Sequence, residues 1–206
     1  MALKPATEIF SQWALNGRDI GMEANHAPAV NAMLDEVIGS RSSPFSIIDA
    51  GCGNGWVVRK IIEDPLCKNA IGVDGAKNMI EKARSLHAEG NYYHADLLDW
   101  CPDEKVDIVH AMEVLYYFKN PEKLILHILD NWLEKNGTII IGMDHYLENP
   151  KSHSWPADLN TYMKLLSIEE WVSLFKDCGL SDVIAFQTNV SNDFTGTLVV
   201  KGEYYH

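Results

Sequence analysis

The chain has 206 residues, 47% hydrophobic and 22% charged, with only 14 glycines and 8 prolines. That is one domain, or one with a short appendage, and it excludes disordered, collagen-like and low-complexity classes. A formal charge of −12, from 29 acidic against 17 basic residues, repels phosphate backbones and anionic lipid.

No nucleic-acid partner is therefore expected, and no basic run exceeds Arg59-Lys60. The four cysteines, Cys52, Cys67, Cys101 and Cys178, show no CxxC spacing and fit a reducing compartment. No stretch approaches the ~18 apolar residues of a membrane span, and the first ten residues lack an apolar signal core. The chain reads as cytoplasmic and soluble, with no membrane partner.

Residues 1–44 read as helical, with Ala27-Pro28 opening a helix whose Val30, Met33, Leu34 and Val37 face a sheet. Residues 45–206 form the main domain. It begins with the run Phe45-Ser-Ile-Ile-Asp-Ala-Gly-Cys-Gly-Asn-Gly55 and the helical spacing of Val57, Val58, Ile61 and Ile62, which give strand, tight loop and helix. Ala70–Asp74 is a second strand and Ala76–His87 a helix. Asn91–Ala95 and Val106–His110 are further strands, and Pro121 opens a helix that Asn136-Gly137 stops. Thr138–Met143 is nearly all apolar, as in a strand covered on both faces. Ser167-Ile-Glu-Glu170 is a capping box before a helix that Gly179 ends. Strands 183–188 and 195–201 follow with no helix between them. The expected fold is α/β, with a mostly parallel seven-stranded sheet, helices on both faces and an antiparallel C-terminal hairpin.

The loop Asp49–Gly55 differs from the dinucleotide fingerprint GxGxxG. Its third glycine comes one residue early, and Trp56 stands where that fingerprint requires glycine. Asp49 at the strand tip would also repel a pyrophosphate, yet suits a ligand carrying sulfonium and ammonium groups. Asp74, at the second tip, can accept both hydroxyls of a ribose. Asp96, after the third strand, can accept from an adenine amine while Leu97 offers its N–H. Three acids at successive tips converge on one cleft.

These segments, with Gly72–Ala83, Asp107–Leu115 and Leu133–Thr138, resemble the class I S-adenosylmethionine-dependent methyltransferases of small-molecule type. The resemblance implies a Rossmann-like fold, S-adenosyl-L-methionine as cofactor and a small-molecule acceptor. It implies Asp49, Gly51, Gly53 and Gly55, with Cys52 and Asn54 in the same loop, around the methionine part. It places Asp74 and Gly75 at the ribose and Asp96 and Leu97 at the adenine. Departures are Gly75-Ala76, where the family often has an apolar residue and Ser, and Lys135-Asn136-Gly137 in place of Pro-Gly-Gly. Methylation of a protein side chain and a non-catalytic cofactor-binding role are the alternatives.

Methyl transfer needs a base only when the acceptor arrives protonated. His145, after the fifth strand, is the leading candidate base or else a polar loop histidine, and Tyr146 beside it touches substrate or packs. Glu113 is a substrate contact or a solvated group. No metal is expected there, because Tyr116 and Tyr117 replace the second acid and histidine of the metal-binding Glu-x-x-Glu-His stretch of ubiquinone-biosynthesis O-methyltransferases. His110 contacts the cofactor or its surroundings. The stretch Trp13–His26 reads as a lid, with Arg18 meeting the methionine carboxylate and Trp13, Met22 and His26 walling the acceptor pocket beside Tyr116. Trp155 and Tyr162 are pocket candidates able to enclose a cationic amine, and Trp171 belongs to the core.

Overall fold

The computed structural model describes residues 2–205. Seven strands, β1 (Phe45–Ala50), β2 (Cys67–Asp74), β3 (Asn91–His94), β4 (Val106–Met112), β5 (Leu133–Met143), β6 (Ser181–Thr188) and β7 (Thr197–Tyr204), form one sheet ordered 3-2-1-4-5-7-6. Neighbours among the first five strands run parallel, while β7 is antiparallel to both β5 and β6. The expected parallel sheet with a closing hairpin is thus observed. Strand order reverses between β1 and β4, and that opens a crevice beyond their carboxyl ends.

The helices are α1 (Ala6–Asn16), α2 (Ile20–Ile38), α3 (Trp56–Ile61), α4 (Lys77–Leu86), α5 (Pro121–Asn131), α6 (Trp155–Asp158) and α7 (Ile168–Asp177). Successive strand residues point to opposite faces, so the pairs Ile47/Ile48, Ile108/Val109 and Ile140/Ile141 each divide between two apolar layers. One layer is capped by Val30 and Met33 of α2, Val57 and Ile61 of α3, and Ile80 and Ala83 of α4. The other is capped by Leu124 and Ile128 of α5 with Trp171 and Phe175 of α7. Full burial of each such side chain contributes about 1.5–3 kcal/mol.

Ser167 caps α7 as expected: its hydroxyl accepts the Glu170 N–H at 3.1 Å and the Glu170 carboxylate accepts the Ser167 N–H at 2.7 Å. Two helix boundaries differ from the sequence reading by more than three residues. Pro28 lies inside α2, which already starts at Ile20. Proline removes a single N–H there, and the turns before it are anchored at Asp19, which is fully buried. Asn136-Gly137 does not end α5. That helix stops at Asn131 because Trp132 and Leu133 enter the core, where the Trp132 indole N–H donates to the Trp100 carbonyl at 2.8 Å. Leu133 pairs with Val106, Thr138 pairs with Ile108, and the residues between make an excursion in which Asn136 has φ 62°.

Two glycines with positive φ separate strain from crowding. Gly179 (φ +94°) faces open space, so Gly179→Ala should cost only the left-handed strain, about 1–2 kcal/mol. At Gly55 (φ +77°) a Cβ would stand 2.5 Å from the Tyr92 ring and 3.0 Å from Ala83. Gly55→Ala should therefore lose about 1–3 kcal/mol more than Gly179→Ala in denaturant unfolding; equal losses would contradict the close approach.

Candidate functional site

Parallel register fixes the site. Asp49 is level with Gly72 on one side and His110 on the other, and Asp74 is level with His94. The tips border a cavity of about 880 Å³, which is lined by Asp49, Gly51, Cys52, Gly53, Asp74, Gly75, Asp96 and Leu97. Asp74 is held by two backbone N–H donors, Ala76 at 2.6 Å and Gly53 at 2.8 Å, so its carboxylate spans the first and second tip loops. Burial pushes its pKa up, and those two hydrogen bonds oppose the shift. Asp96 is exposed, and one of its oxygens accepts the Leu98 N–H at 2.9 Å.

Asp49 is only 3% exposed. Its Oδ1 accepts from His110 Nδ1 at 2.7 Å, while Oδ2 is buried without a partner. A buried carboxylate oxygen lacking a donor is costly, and a cationic or N–H-bearing group bound in the cavity that Asp49 lines would lower that cost. An ammonium of the expected cofactor fits that atom. His110 stands behind Asp49 and does not line the cavity.

Asn54 and Gly55 are also withdrawn from the cavity, and each withdrawal has a cause. The Asn54 amide donates to Asp19 at 2.9 Å, and Lys82 Nζ reaches the same carboxylate at 2.7 Å. Asp19 thereby ties the α1–α2 junction to the glycine loop and to α4. Nothing in the sequence singles Asp19 out, because its partners lie 35 and 63 residues away. Gly55 faces Tyr92.

The N-terminal segment borders the cavity through Phe10, Trp13, Arg18, Met22 and His26. It is tied at both sides. The Asn78 N–H donates to the Ser11 hydroxyl at 3.1 Å, and the Thr161 hydroxyl donates to the Lys4 carbonyl at 2.7 Å. Phe10 sits edge-on to Trp13 (5.1 Å) and to Tyr117 (5.6 Å), joining this segment to the residues after β4. Tyr116 and Trp155 also line the cavity, as expected. Tyr162 does not; Lys119 lies over its ring at 6.0 Å. Phe10, Trp56, Met79, Phe118 and Asp158 line the cavity without having been selected from sequence. The lining of Trp56 follows from its place at the first turn of α3, directly after the glycine loop.

Two expectations about catalysis are corrected. His145 is 1% exposed and lies outside the lining, packed between Tyr116 (5.4 Å) and Trp155 (6.3 Å), with its Nδ1 donating to the Ser152 carbonyl at 3.1 Å. Burial lowers its pKa, so it stays neutral. Tyr146 is fully buried; its hydroxyl donates to the Gly196 carbonyl at 2.8 Å and accepts from Gln187 at 2.7 Å, which pins the C-terminal hairpin. The turn after β5 carries both side chains inward.

Glu113, with φ 61°, does line the cavity. Its carboxyl accepts from the Tyr116 hydroxyl at 2.6 Å and from the Asp144 N–H at 2.5 Å. Burial and the neighbouring Asp144 charge push its pKa up to about 8. His26, Glu113 and Asp144 bring one ligand-type atom each within 4.8 Å of one another, a grouping missed because its members come from three distant segments.

A family model described as a methyltransferase domain matches residues 22–184. Among curated proteins, a trans-aconitate 2-methyltransferase of Rhizobium rhizogenes is 33% identical over 103 residues, covering 50% of this chain and 40% of that protein. One from Acidovorax is 27% identical over 137 residues, covering 66% and 52%. The chain thus spans about half the length of these relatives or less. Among solved structures, a chain in the complex between the Haloferax volcanii Trm112 methyltransferase activator and the putative methyltransferase superposes with TM-score 0.85 at 24% identity, covering all of both chains. The N-methyltransferase NodS of Bradyrhizobium japonicum, crystallised with S-adenosyl-L-homocysteine, gives 0.65 at 16% identity over 85% of each. At these identities the likeness is one of fold.

The raised pKa of Glu113 has a measurable consequence. The unfolded chain ionises this group near pH 4.5 and the folded one only near 8, so stability from Glu113 is complete below the lower value and lost as pH rises through the upper. Between pH 5 and 8 the melting temperature of the wild type should fall relative to that of Glu113→Gln. Parallel curves would refute the shift.

Proposed function

The chain belongs to the S-adenosylmethionine-dependent class I methyltransferases, and from that premise we propose that it methylates a neutral or cationic small molecule in a cavity covered by its own N-terminal segment. When bound, the cofactor supplies a methyl group on positively charged sulfur. The residues that would hold it are those of the strand tips. Asp49 Oδ2 takes the ammonium, Gly51 to Gly53 admit the methionine chain, Asp74 accepts the ribose hydroxyls, and Asp96 with Leu97 flanks the adenine. Arg18, exposed and without an ion pair among the described residues, meets the carboxylate.

The acceptor then occupies the space between Phe10, Trp13, Tyr117, Phe118 and Trp155. These residues exclude water and hold the acceptor in line, and well-oriented reactants gain on the order of 7–11 kcal/mol from positioning. The segment from Pro5 to His26 acts as the lid. Its ties at Asn78 and Thr161 support that reading, and the cavity it borders suits a small molecule rather than a protein surface.

The observation that carries the acceptor class is the charge of the lining. Of the five carboxyl groups on the lining, Asp49, Asp74 and Asp96 are given to the cofactor and Glu113 is uncharged below about pH 8, so Asp158 is the charged acid left to the acceptor, while Arg18, the one Lys or Arg of the lining, is given to the cofactor carboxylate. A tricarboxylate such as trans-aconitate, named for the curated relatives, would meet repulsion there. An acceptor screen that detects S-adenosylhomocysteine release should find turnover among uncharged or cationic aromatic compounds and none with trans-aconitate. Preferred turnover of trans-aconitate would overturn the assignment.

A further inference from the structure

His26 was expected only to wall the acceptor pocket, yet its surroundings fit it for more. It lies on α2 at the cavity, half-buried, and its ring is within 4.8 Å of a carboxylate oxygen of Asp144, which follows β5. Three contacts hold Asp144 in place. Its Oδ1 accepts the Thr197 hydroxyl at 2.7 Å, its carbonyl accepts the Asn149 amide at 2.7 Å, and its N–H donates to Glu113. The third member of the group, Glu113, is capped by Tyr116 and Asp144. An imidazole that faces a cavity with a fixed carboxylate within 4.8 Å, beyond hydrogen-bond distance but close enough to stabilise its positive charge, has the components of a general base.

Resting on the methyltransferase reading above, we propose that His26 is the general base that removes a proton from an amine acceptor, with Asp144 as the positioning residue behind it. In that step an N–H bond of the protonated acceptor breaks and the electron pair stays on nitrogen. The proton goes to an imidazole nitrogen of His26 and later leaves to solvent. The freed lone pair is the nucleophile that the methyl group requires.

The charges around His26 agree with this. Burial lowers its pKa, so the imidazole is unprotonated at neutral pH, and Asp144 partly offsets that and favours the imidazolium once formed. Glu113 is uncharged below about pH 8 and does not compete for the cation. Arg18, between α1 and α2 on the same N-terminal segment, is the one guanidinium on the cavity wall and is reserved for the carboxylate of the cofactor. His145, first expected in this role, is excluded from the cavity. The aromatic walls and the Asp158 carboxylate favour an arylalkyl ammonium over a phenolate or carboxylate.

The test uses the full chain, with benzylamine, phenethylamine and tyramine as probes. S-adenosylmethionine binding, measured by calorimetry, should be the same in wild type, His26→Gln and Asp144→Asn; failure of the wild type to bind would overturn the methyltransferase reading itself. With binding intact, His26→Gln should lose about 10²–10⁴-fold in kcat at pH 7, and the loss should shrink as pH approaches that at which the free amine deprotonates in solution. In NMR titrations the His26 imidazole should titrate at lower pH in Asp144→Asn than in the wild type, because a favourable negative charge has been removed. Four results would overturn the proposal: no probe amine methylated by a cofactor-binding wild type, an unchanged rate in His26→Gln, an unmoved His26 titration in Asp144→Asn, or activity abolished by a chelator and restored by a divalent cation.

Discussion

A carboxylate sealed inside a protein needs a partner for each oxygen, and Asp49 has one for only the first. His110 takes Oδ1 from behind, where β4 runs level with β1, and Oδ2, on a residue that lines the cavity, has no partner. This asymmetry depends on the parallel register, which brings residue 49 beside residue 110 at the point where strand order reverses. The glycine loop, the acid on β2 and the acid after β3 extend the demand for positively charged and hydrogen-bond-donating groups along one rim. A diphosphate would place like charge against that rim, whereas an amino acid joined to a nucleoside through a sulfonium meets it with the opposite sign.

The part of the site that was legible in the sequence is the part made of local order. Asp49 and Asp74 each end a short apolar run and Asp96 follows the short strand-like stretch Asn91–Ala95, so their place at strand tips comes directly from strand–loop alternation. The other half is built from long-range contacts that no spacing reveals. Asp19 is buried because Asn54 and Lys82 reach it, and His26 meets Asp144 from a helix whose start was misplaced by reading Pro28 as its first turn. His145 and Tyr146 misled for a related reason. Polar residues after a strand suggest a cleft, but here the turn packs both rings inward, and only the hydrogen bonds to Ser152, Gly196 and Gln187 show it. The end of α5 was misjudged because Trp132 and Leu133 gain more from burial than the helix gains from continuing to Asn136.

Resemblance and local chemistry diverge at the acceptor. The curated relatives are named for a tricarboxylate, and the stretch they share with this chain covers at most about two thirds of it. On the proposed reading the aromatic wall from Phe10 through Tyr117 to Trp155 suits a different ligand, and residues before 22 that contribute to that wall lie outside the matched family domain.

The central claim is that the rim around Asp49 holds a sulfonium-bearing amino acid nucleoside or its thioether product. Calorimetric titration of the protein with S-adenosylhomocysteine and, separately, with NADH tests it most directly. The account predicts one equivalent of S-adenosylhomocysteine bound and no heat with NADH; saturable binding of NADH alone would contradict it.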